Sequence, residues 1–312
     1  MNIKYVTEPT ALSTLVERHR RNPAVYETAR LEFLGVDGFD VYNVSNEFSW
    51  KGRRLIAGRV ERRESERSAV RFFEKVDLDC YRVLPGGIDD FQDPYATVLD
   101  GALLIGGTAI HEDADGRIDT WNTAFYRGDD LSTLVRIADA PAKMKDVRVE
   151  RRGVLHVFTR PQGGIAGPGR IGYYACDDLS GVNPAAIASA PLLATQFPEG
   201  CWGGVNQILP LEGGLLGIVG HIATMSEGDV RHYYGMTFVF DPATRRSTEV
   251  NILCERRDFT PGAAKRPDLV DVVFAGGLVR HGNGTATVYV GLSDAEAHAA
   301  IVDDPFEAFE KE

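Results

Sequence analysis

The stretch FQDPYATVLDGALLIGGT, residues 91–108, decides the fold predicted for this chain. Two runs of strand-forming residues flank Asp100-Gly101, a dipeptide typical of tight β-hairpin turns. A carboxylate and a proline, Asp93 and Pro94, stand where the first strand begins. The stretch therefore predicts a β-hairpin with an acidic side chain near its open end.

The same unit recurs four more times along the chain. Each copy opens on a polar residue, passes through a glycine-containing turn and continues into a second apolar strand. The opening residues are Asn43, Asp93, Asp146, Asn206 and Asp271, at intervals of 50, 53, 60 and 65 positions. A repeat of this length built from strand hairpins indicates propeller blades, which bury their faces by stacking around a common axis. We therefore predict an all-β chain folded as a five-bladed β-propeller.

The segment before the first repeat has a different pattern. Leu12, Leu15 and Val16 predict one short amphipathic N-terminal helix within residues 10–30, which we interpret as a cap on the propeller. We expect residues 31–38 to form a strand that closes the ring by pairing with the last blade. The predicted organisation is residues 1–39 as cap and ring-closing strand, followed by residues 40–312 as one catalytic domain.

Composition restricts the classes of partner and cofactor. The formal net charge is −11, and a nucleic-acid surface needs a basic face, so we expect no nucleic-acid partner. The chain has no apolar run of membrane-spanning length, and its N-terminus lacks the apolar core of a signal peptide, which predicts a cytoplasmic protein with no membrane partner. The four cysteines lack metal-binding spacing, so we predict buried free thiols, no metal site and no cofactor.

Equivalent positions of propeller blades line the central channel, so the five opening residues form a predicted polar ring with three carboxylates at one mouth. Arg59, Arg160 and His221 close three of the hairpins, and Lys145 precedes Asp146, which places cations beside the ring. Such a mixture suits sugar recognition, because hydroxyl groups need donors and acceptors and a departing oxygen needs a proton. Like charges held close are expected to raise one carboxyl pKa, as a general acid requires. The alternative is that these residues only tie neighbouring blades together.

Three other features are interpreted without a defined function. The charge-dense loop at residues 60–68 is typical of solvated surface. Trp121, Phe125 and Tyr126 are interpreted as packing residues and not as a sugar platform. Lys265 and Arg266 either cover the site from a loop or form a solvated basic pair.

An ordered set of short motifs resembles those of the five-bladed β-mannoside phosphorylases. Gln92-Asp93-Pro94-Tyr95 resembles the Glu-Asp-Pro-Arg signature of that family, with Gln92 and Tyr95 as departures from it. The later matches are Lys145-Asp146, Thr159-Arg160-Pro161, Trp202-Gly203-Gly204, Gly220-His221, residues 271–277 and residues 289–294. The strings around Lys145 and Arg160 resemble most closely the β-1,2-mannosyltransferase and phosphorylase branch of mannogen type, which has bacterial relatives.

The resemblance implies an inverting reaction at a β-mannosidic bond. Its partners would be a β-mannoside or manno-oligosaccharide together with phosphate or mannose 1-phosphate. Asp93 matches the family's proton donor, and the cations Lys145, Arg160 and His221 match its phosphate cluster. Sugar binding is expected from Asn43, Arg59, Asp146, Asn206 and Asp271. A phosphate lysine that the family has near Trp202 has no counterpart here.

Two other functions stay open. One is an inverting glycoside hydrolase of the same fold, in which a carboxylate such as Asp146 activates water. Arg160 and His221 weigh against it, because water needs no anion pocket. The other is a non-catalytic glycan-binding propeller, since this fold hosts many functions. The residues do not fix the linkage, the acceptor, or whether GDP-mannose replaces phosphate.

Overall fold

Strands predominate in the computed structural model, which describes residues 3–194 and 196–310. The ends of the two predicted regions, residues 1–2 and 311–312, lie outside the described residues. Helix α1 spans Leu12–Arg21 and buries Leu15 and Val16, as predicted. A second short helix, α2 (Pro184–Ala188), was not predicted; the side chain of Asn183 caps its first turn by accepting a hydrogen bond from the Ala186 amide.

Strands β1 (Val25–Arg30) and β2 (Glu32–Leu34) precede five consecutive antiparallel groups. Group I contains β3 (Asp40–Tyr42), β4 (Phe48–Trp50), β5 (Arg53–Glu61), β6 (Ser68–Lys75), β7 (Cys80–Val83) and β8 (Ile88–Asp89). Group II contains β9 (Phe91–Leu99), β10 (Ala102–Glu112), β11 (Ile118–Gly128) and β12 (Val135–Asp139). Group III contains β13 (Arg148–Arg152), β14 (Val154–Thr159) and β15 (Gly172–Cys176). Group IV contains β16 (Trp202–Pro210), β17 (Leu216–Met225), β18 (Arg231–Asp241), β19 (Arg246–Ser247) and β20 (Asn251–Cys254), and group V contains β21 (Asp271–Arg280), β22 (Thr285–Leu292) and β23 (Glu296–Asp303).

Hydrogen bonding combines these groups into four sheets. Groups II and III are separate sheets of four and three strands, and group I forms a seven-stranded sheet with β2. Groups IV and V share a nine-stranded sheet with β1, because β18 and β21 meet in a parallel contact of two residue pairs. The sheet pairing alone therefore does not divide the chain into five blades, and the five-blade count stays a prediction.

The N-terminal strand belongs to the last group. Strand β1 pairs antiparallel with β23, whereas β2 pairs in parallel with β7 of group I. The expectation that residues 31–38 pair with the last blade was wrong, since Val25–Arg30 makes that pairing. Gly35, with φ of 86°, follows β2 directly, and this left-handed backbone ends the strand after three residues.

Five apolar clusters occupy the junctions between successive groups in the described part of the chain. Phe72 of group I packs with Phe91 of group II, and further clusters fill the II–III, III–IV and IV–V junctions. The fifth cluster joins Tyr289 of group V to Phe73 of group I. Helix α1 packs through Leu15 and Val16 on the III–IV cluster. Each group therefore contacts the next one, and the last contacts the first.

No helix within residues 3–194 and 196–310 is long and apolar enough to cross a membrane. The four cysteines are unpaired. Cys201 and Cys254 are buried as expected, whereas Cys80 and Cys176 are only half-buried.

Candidate active site

Three of the predicted ring residues share an unusual backbone conformation. Asn43, Asp93 and Asp146 have φ values of 44°, 50° and 60°, in the left-handed region that Asn and Asp tolerate better than most residues. Asp93 lies where the β9–β10 register shifts, between the Tyr95–Gly106 and Gln92–Thr108 pairs. Such a bulge interrupts the alternation of side chains along a strand and re-aims one of them.

Asp93 is buried, with a relative exposure of 6%, and one of its oxygens has two polar neighbours. Asn43 Nδ2 donates a hydrogen bond to Oδ1 at 2.8 Å, and Arg59 Nη1 lies 3.5 Å from the same oxygen. The Arg59 guanidinium lies over the ring of Tyr42 and pairs with Glu61 at 2.9 Å. The other Asp93 oxygen, Oδ2, receives no hydrogen bond from any residue that the structure describes, so it is free for a substrate group.

A second carboxyl beside Asp93, Asp294, was not singled out from the sequence. Its own burial, and then the negative charge of Asp93, raise the pKa of this group, while Arg59 and Lys265 oppose the rise. Asp294 is not one of the ring carboxylates for which the sequence predicted a raised pKa, and burial is the larger cause of its shift. This residue ends the matched motif at 289–294, and its position just after β22 was the available signal.

The charged loop between β5 and β6 is largely exposed, as predicted, and its Glu66, with a side chain that is 51% exposed, also contacts Lys265 and Arg266. Glu66 of this loop lies 3.2 Å from Lys265 Nζ and accepts a hydrogen bond from Arg266 Nη1 at 2.7 Å. The Lys265 side chain is only 4% exposed and also contacts Glu61. Of the two interpretations left open for Lys265, the structure supports a residue that covers the site.

A second group of charges surrounds Asp146, which is 2% exposed. Arg160 Nη1 lies 3.5 Å from Oδ2, and Arg148 Nη2 lies 3.7 Å from Oδ1. Burial alone would raise the pKa of Asp146, but the charges of Lys145, Arg160, His221 and Arg148 outweigh it and lower the pKa to about 2. Neither Asp146 oxygen nor Arg160 Nη1 has a hydrogen-bond partner in the described structure. The cluster therefore holds an ionised carboxylate and a buried cationic N–H group without an acceptor.

The tautomer of His221 follows from its contact with Asn206. Asn206 Nδ2 donates to the carbonyl of Ala275 at 2.7 Å, so the other amide atom, Oδ1, is an acceptor. This oxygen lies 3.2 Å from His221 Nδ1, which therefore carries the proton and leaves Nε2 with a lone pair. Burial, with Arg160, Lys145 and Arg148, lowers the pKa of His221 to about 3 against the attraction of Asp146. The ring is therefore neutral at neutral pH, and it stacks on Tyr233 with 5.5 Å between centroids.

The absence of a side chain at Gly204 leaves room for Arg160, His221 and Asp146 to lie close together. A Cβ atom at this position would come within 2.8 Å of Arg160 Cδ, 3.1 Å of His221 Cε1 and 3.3 Å of Asp146 Cβ. No side chain fits there, which gives a physical reason for the second glycine of Trp202-Gly203-Gly204.

An open cleft of about 440 Å³ leads to these groups. Lys145 and Arg160 line it together with Glu66, and Trp202 and Tyr233 form its group IV wall. The positive charge of Lys145 lowers the pKa of both Asp146 and Asp294, so this one side chain influences both clusters. A larger cavity of about 740 Å³ lies between groups V and I, and none of the predicted site residues lines it.

The structure places Asp271 outside this constellation. It begins β21, is 37% exposed and accepts from His232 Nδ1 at 2.5 Å, and none of the described contacts joins it to Asp93 or Asp146. The group V position that matches Asn206 by its register shift is Gly276. A Cβ there would lie 1.7 Å from the Val44 carbonyl oxygen, so the group I backbone replaces the expected side chain. Four predicted ring residues are thus brought into the two clusters, and the fifth is not.

Comparison with known proteins places the chain among carbohydrate enzymes. Residues 17–308 match a family model described as "Protein of unknown function (DUF1861)". The structure is similar to MPT-4, a mannose phosphorylase from Leishmania mexicana solved with a phosphate ion, with 34% identity over 96% of this chain and 95% of that one and a TM-score of 0.89. It is also similar to MPT-1, a GDP-Man-dependent mannosyltransferase from Leishmania mexicana, with 28% identity, 97% and 98% coverage and a TM-score of 0.87.

A more distant solved structure shares the fold alone. It is the β-1,2-mannobiose phosphorylase from Listeria innocua, with 16% identity, coverage of 86% of this chain and 91% of that one, and a TM-score of 0.63. No curated protein matches the sequence. The resemblance predicted from the ordered motifs is confirmed by these relatives.

Proposed function

Since the chain belongs to the DUF1861 family and shares a third of its residues with a mannose phosphorylase over nearly its whole length, we propose that it is an inverting β-mannoside phosphorylase. The observation that carries this proposal is the buried Arg160 Nη1, which has no hydrogen-bond acceptor and only an ion-pair contact with Asp146 at 3.5 Å, on a side chain that lines the cleft with Lys145. A buried cationic N–H group without a hydrogen-bond acceptor is costly unless a ligand supplies one. An oxyanion such as phosphate suits this position.

Asp93 is the proton donor in this proposal. Phosphate attacks the anomeric carbon from one face of the mannosyl ring, the glycosidic carbon–oxygen bond breaks on the other face, and a proton passes from Asp93 to the departing oxygen, directly or through a sugar hydroxyl. The free Oδ2 of Asp93 supports this role. Asn43 and Arg59 hold the other oxygen, and together with Asp294 they are positioned to bind sugar hydroxyls.

Lys145, Arg160 and His221 bind the phosphate. The cations lower the cost of bringing a charged nucleophile to the sugar, and His221 Nε2 accepts a hydrogen bond from a protonated phosphate oxygen. Asn206 acts through His221 by fixing its tautomer. Asp146 balances the cations, and Asp271, which lies apart, is not proposed as a sugar ligand.

A hydrolase is a weaker proposal. Its general base would be Asp146, and a carboxylate whose pKa is lowered to about 2 is a poor acceptor of a proton from water at neutral pH. Transfer from GDP-mannose is the second candidate, because MPT-1 is similar over 97% of this chain. A non-catalytic glycan-binding role does not explain why the buried Arg160 Nη1 lacks a hydrogen-bond acceptor.

We extend the proposal to the architecture and location. Groups I–V are the five blades of a propeller, supported by one apolar cluster at each of the five junctions. Residues 1–39 form its cap and closing strand, with residues 40–312 as the catalytic domain. Unpaired cysteines agree with a cytoplasmic location.

The experiment is a comparison of donors with the purified protein. We expect phosphate release from mannose 1-phosphate with mannose as acceptor, and production of mannose 1-phosphate from a β-1,2-linked mannobiose and phosphate. Arg160→Gln should raise the KM for phosphate at least about tenfold, because it removes a charged hydrogen-bond donor. Turnover of GDP-mannose alone would support the transferase, and release of mannose without phosphate would support the hydrolase.

A further inference from the structure

The inverting geometry of the proposed reaction indicates which side of the cleft holds the second sugar. In an inverting displacement the nucleophile and the leaving group stand on opposite faces of the reacting ring, and the acid stands with the leaving group. The phosphate cations belong to the segment before β13 and to groups III and IV, whereas Asp93 belongs to group II. The sugar that departs in phosphorolysis, which is the acceptor in synthesis, therefore lies against the group II wall of the cleft.

The strand register gives this wall one continuous face. Gln92 on β9 is directly opposite Thr108 on β10, and Trp121 on β11 is directly opposite Ile110, two residues further along β10. Directly opposed residues share a face, and so do residues two apart on a strand. All four line the cleft, together with Ile118. Since Gln92 precedes Asp93, this face begins beside the proposed acid.

Trp121 is the largest side chain that lines that wall. It is half-buried, it lines the cleft, and its indole N–H group has no hydrogen-bond acceptor among the described residues. Ile110 and Ile118 flank it, and the 44%-exposed Met225 belongs to the opposite, group IV side. A flat apolar ring in this cleft matches the C–H face of a pyranose, whose hydroxyl groups can then reach the polar side chains that also line it.

We infer that Trp121, supported by Ile110 and Ile118, is the binding platform for the acceptor pyranose. The inference rests on the proposed function, and it assigns a role to a residue that the sequence pattern indicated only as packing. Trp121 then determines affinity for the acceptor mannoside and has no part in binding mannose 1-phosphate.

The test separates the two substrates kinetically in the synthetic direction. With mannose 1-phosphate saturating and mannose varied, Trp121→Ala should raise the KM for mannose at least about tenfold. The KM for mannose 1-phosphate should stay within about twofold of the wild-type value, because the donor contacts are untouched. Trp121→Phe should fall between the two proteins, because it keeps a smaller stacking ring.

Trp50→Ala is the matched control. Trp50 is also half-buried with an unpaired indole N–H group, but it lies on β4 and does not line the cleft. Both KM values should be unchanged in this variant. An unchanged KM for mannose in Trp121→Ala, or an equal rise of both KM values, would overturn the inference.

The proposed function and the platform can fail separately. If the wild type turns over neither mannose 1-phosphate nor mannobiose with phosphate, the phosphorylase proposal fails. Calorimetric titration with β-1,2-mannobiose then tests the platform: binding that weakens at least about tenfold in Trp121→Ala supports it. Equal binding by both proteins, or no binding by the wild type, overturns it.

Discussion

At the scale of single residues, the properties of the site depend on which polar atoms already have a hydrogen-bond partner and which do not. Asn43 and Arg59 occupy one oxygen of Asp93 and leave the other free. Asn206 occupies one nitrogen of His221 and fixes where the lone pair lies. Each amide therefore orients a neighbouring group for which we propose a catalytic or binding role, and each opens a hairpin repeat in the sequence.

His221 should make the stability of the protein depend on pH. Its pKa in the folded protein is about 3, compared with 6.5 ordinarily, so the unfolded chain takes up a proton below pH 6.5 that the folded chain does not. The free energy of unfolding therefore falls as the pH drops from 6.5 towards 3. We expect His221→Gln to make this fall shallower between pH 6.5 and pH 4.

Urea unfolding of the wild type and His221→Gln at several pH values measures this effect. Burial also lowers the pKa of His156 and His298, so the difference between the two proteins is the quantity to compare. Asp146, with a pKa of about 2, contributes only below about pH 4. Parallel pH curves for the two proteins would contradict a neutral buried His221.

At the scale of elements, register shifts and glycines decide which side chains meet. The shift in β9 lies at Asp93, the one in β16 at Asn206 and the one in β21 at Gly276. The sequence analysis treated the residue that opens each hairpin as equivalent to the others. This failed for Asp271, because the register shift in β21 lies five residues after it, at Gly276. Positions within a blade are therefore better counted from the bulge than from the first residue of the strand.

Gly276→Ala should open the contact between groups V and I. Its Cβ would lie 1.7 Å from the Val44 carbonyl oxygen, and backbone cannot move aside as a side chain can. We expect a loss of at least about 3 kcal/mol in the free energy of unfolding, the upper range for overpacking. The measurement is urea denaturation of the purified variant.

Gly101→Ala is the control for this prediction. It lies at an exposed hairpin turn with φ of 74° and nothing near its Cβ position, so it should cost only about 1–2 kcal/mol of backbone strain. Equal losses in both variants would contradict a tight contact at Gly276.

At the scale of the whole molecule, the repeated hairpins were sufficient to predict a β-rich propeller-type fold and four of the residues that lie in the two polar clusters. Asn43, Asp93, Asp146 and Asn206 could be found because each opens a repeat. Glu66 and Lys265 could not be assigned, because a charged residue in a loop has the same sequence pattern whether it contacts a site or faces solvent. Trp121 was interpreted as a packing residue, and it lines the cleft; a strand tryptophan at a cleft and one in a core have the same local sequence pattern.

The sequence pattern also could not predict which strands β1 and β2 pair with. Residues 25–30 and 32–34 lie within one extended segment, yet they join different sheets. Only the break at Gly35 and the position of β23 in space determine which part closes the last group.

The central claim is that Asp93 supplies the proton in a phosphate-dependent reaction. The most direct measurement is the rate of phosphate release from mannose 1-phosphate and mannose by the wild type and Asp93→Asn, with binding of mannose 1-phosphate followed in parallel. We predict a loss of kcat of at least about 10²-fold in the variant, in the range expected for a general acid, with binding within about threefold of the wild type. Asn keeps the size of Asp, so folding should be preserved. Undiminished phosphate release by Asp93→Asn would contradict the account.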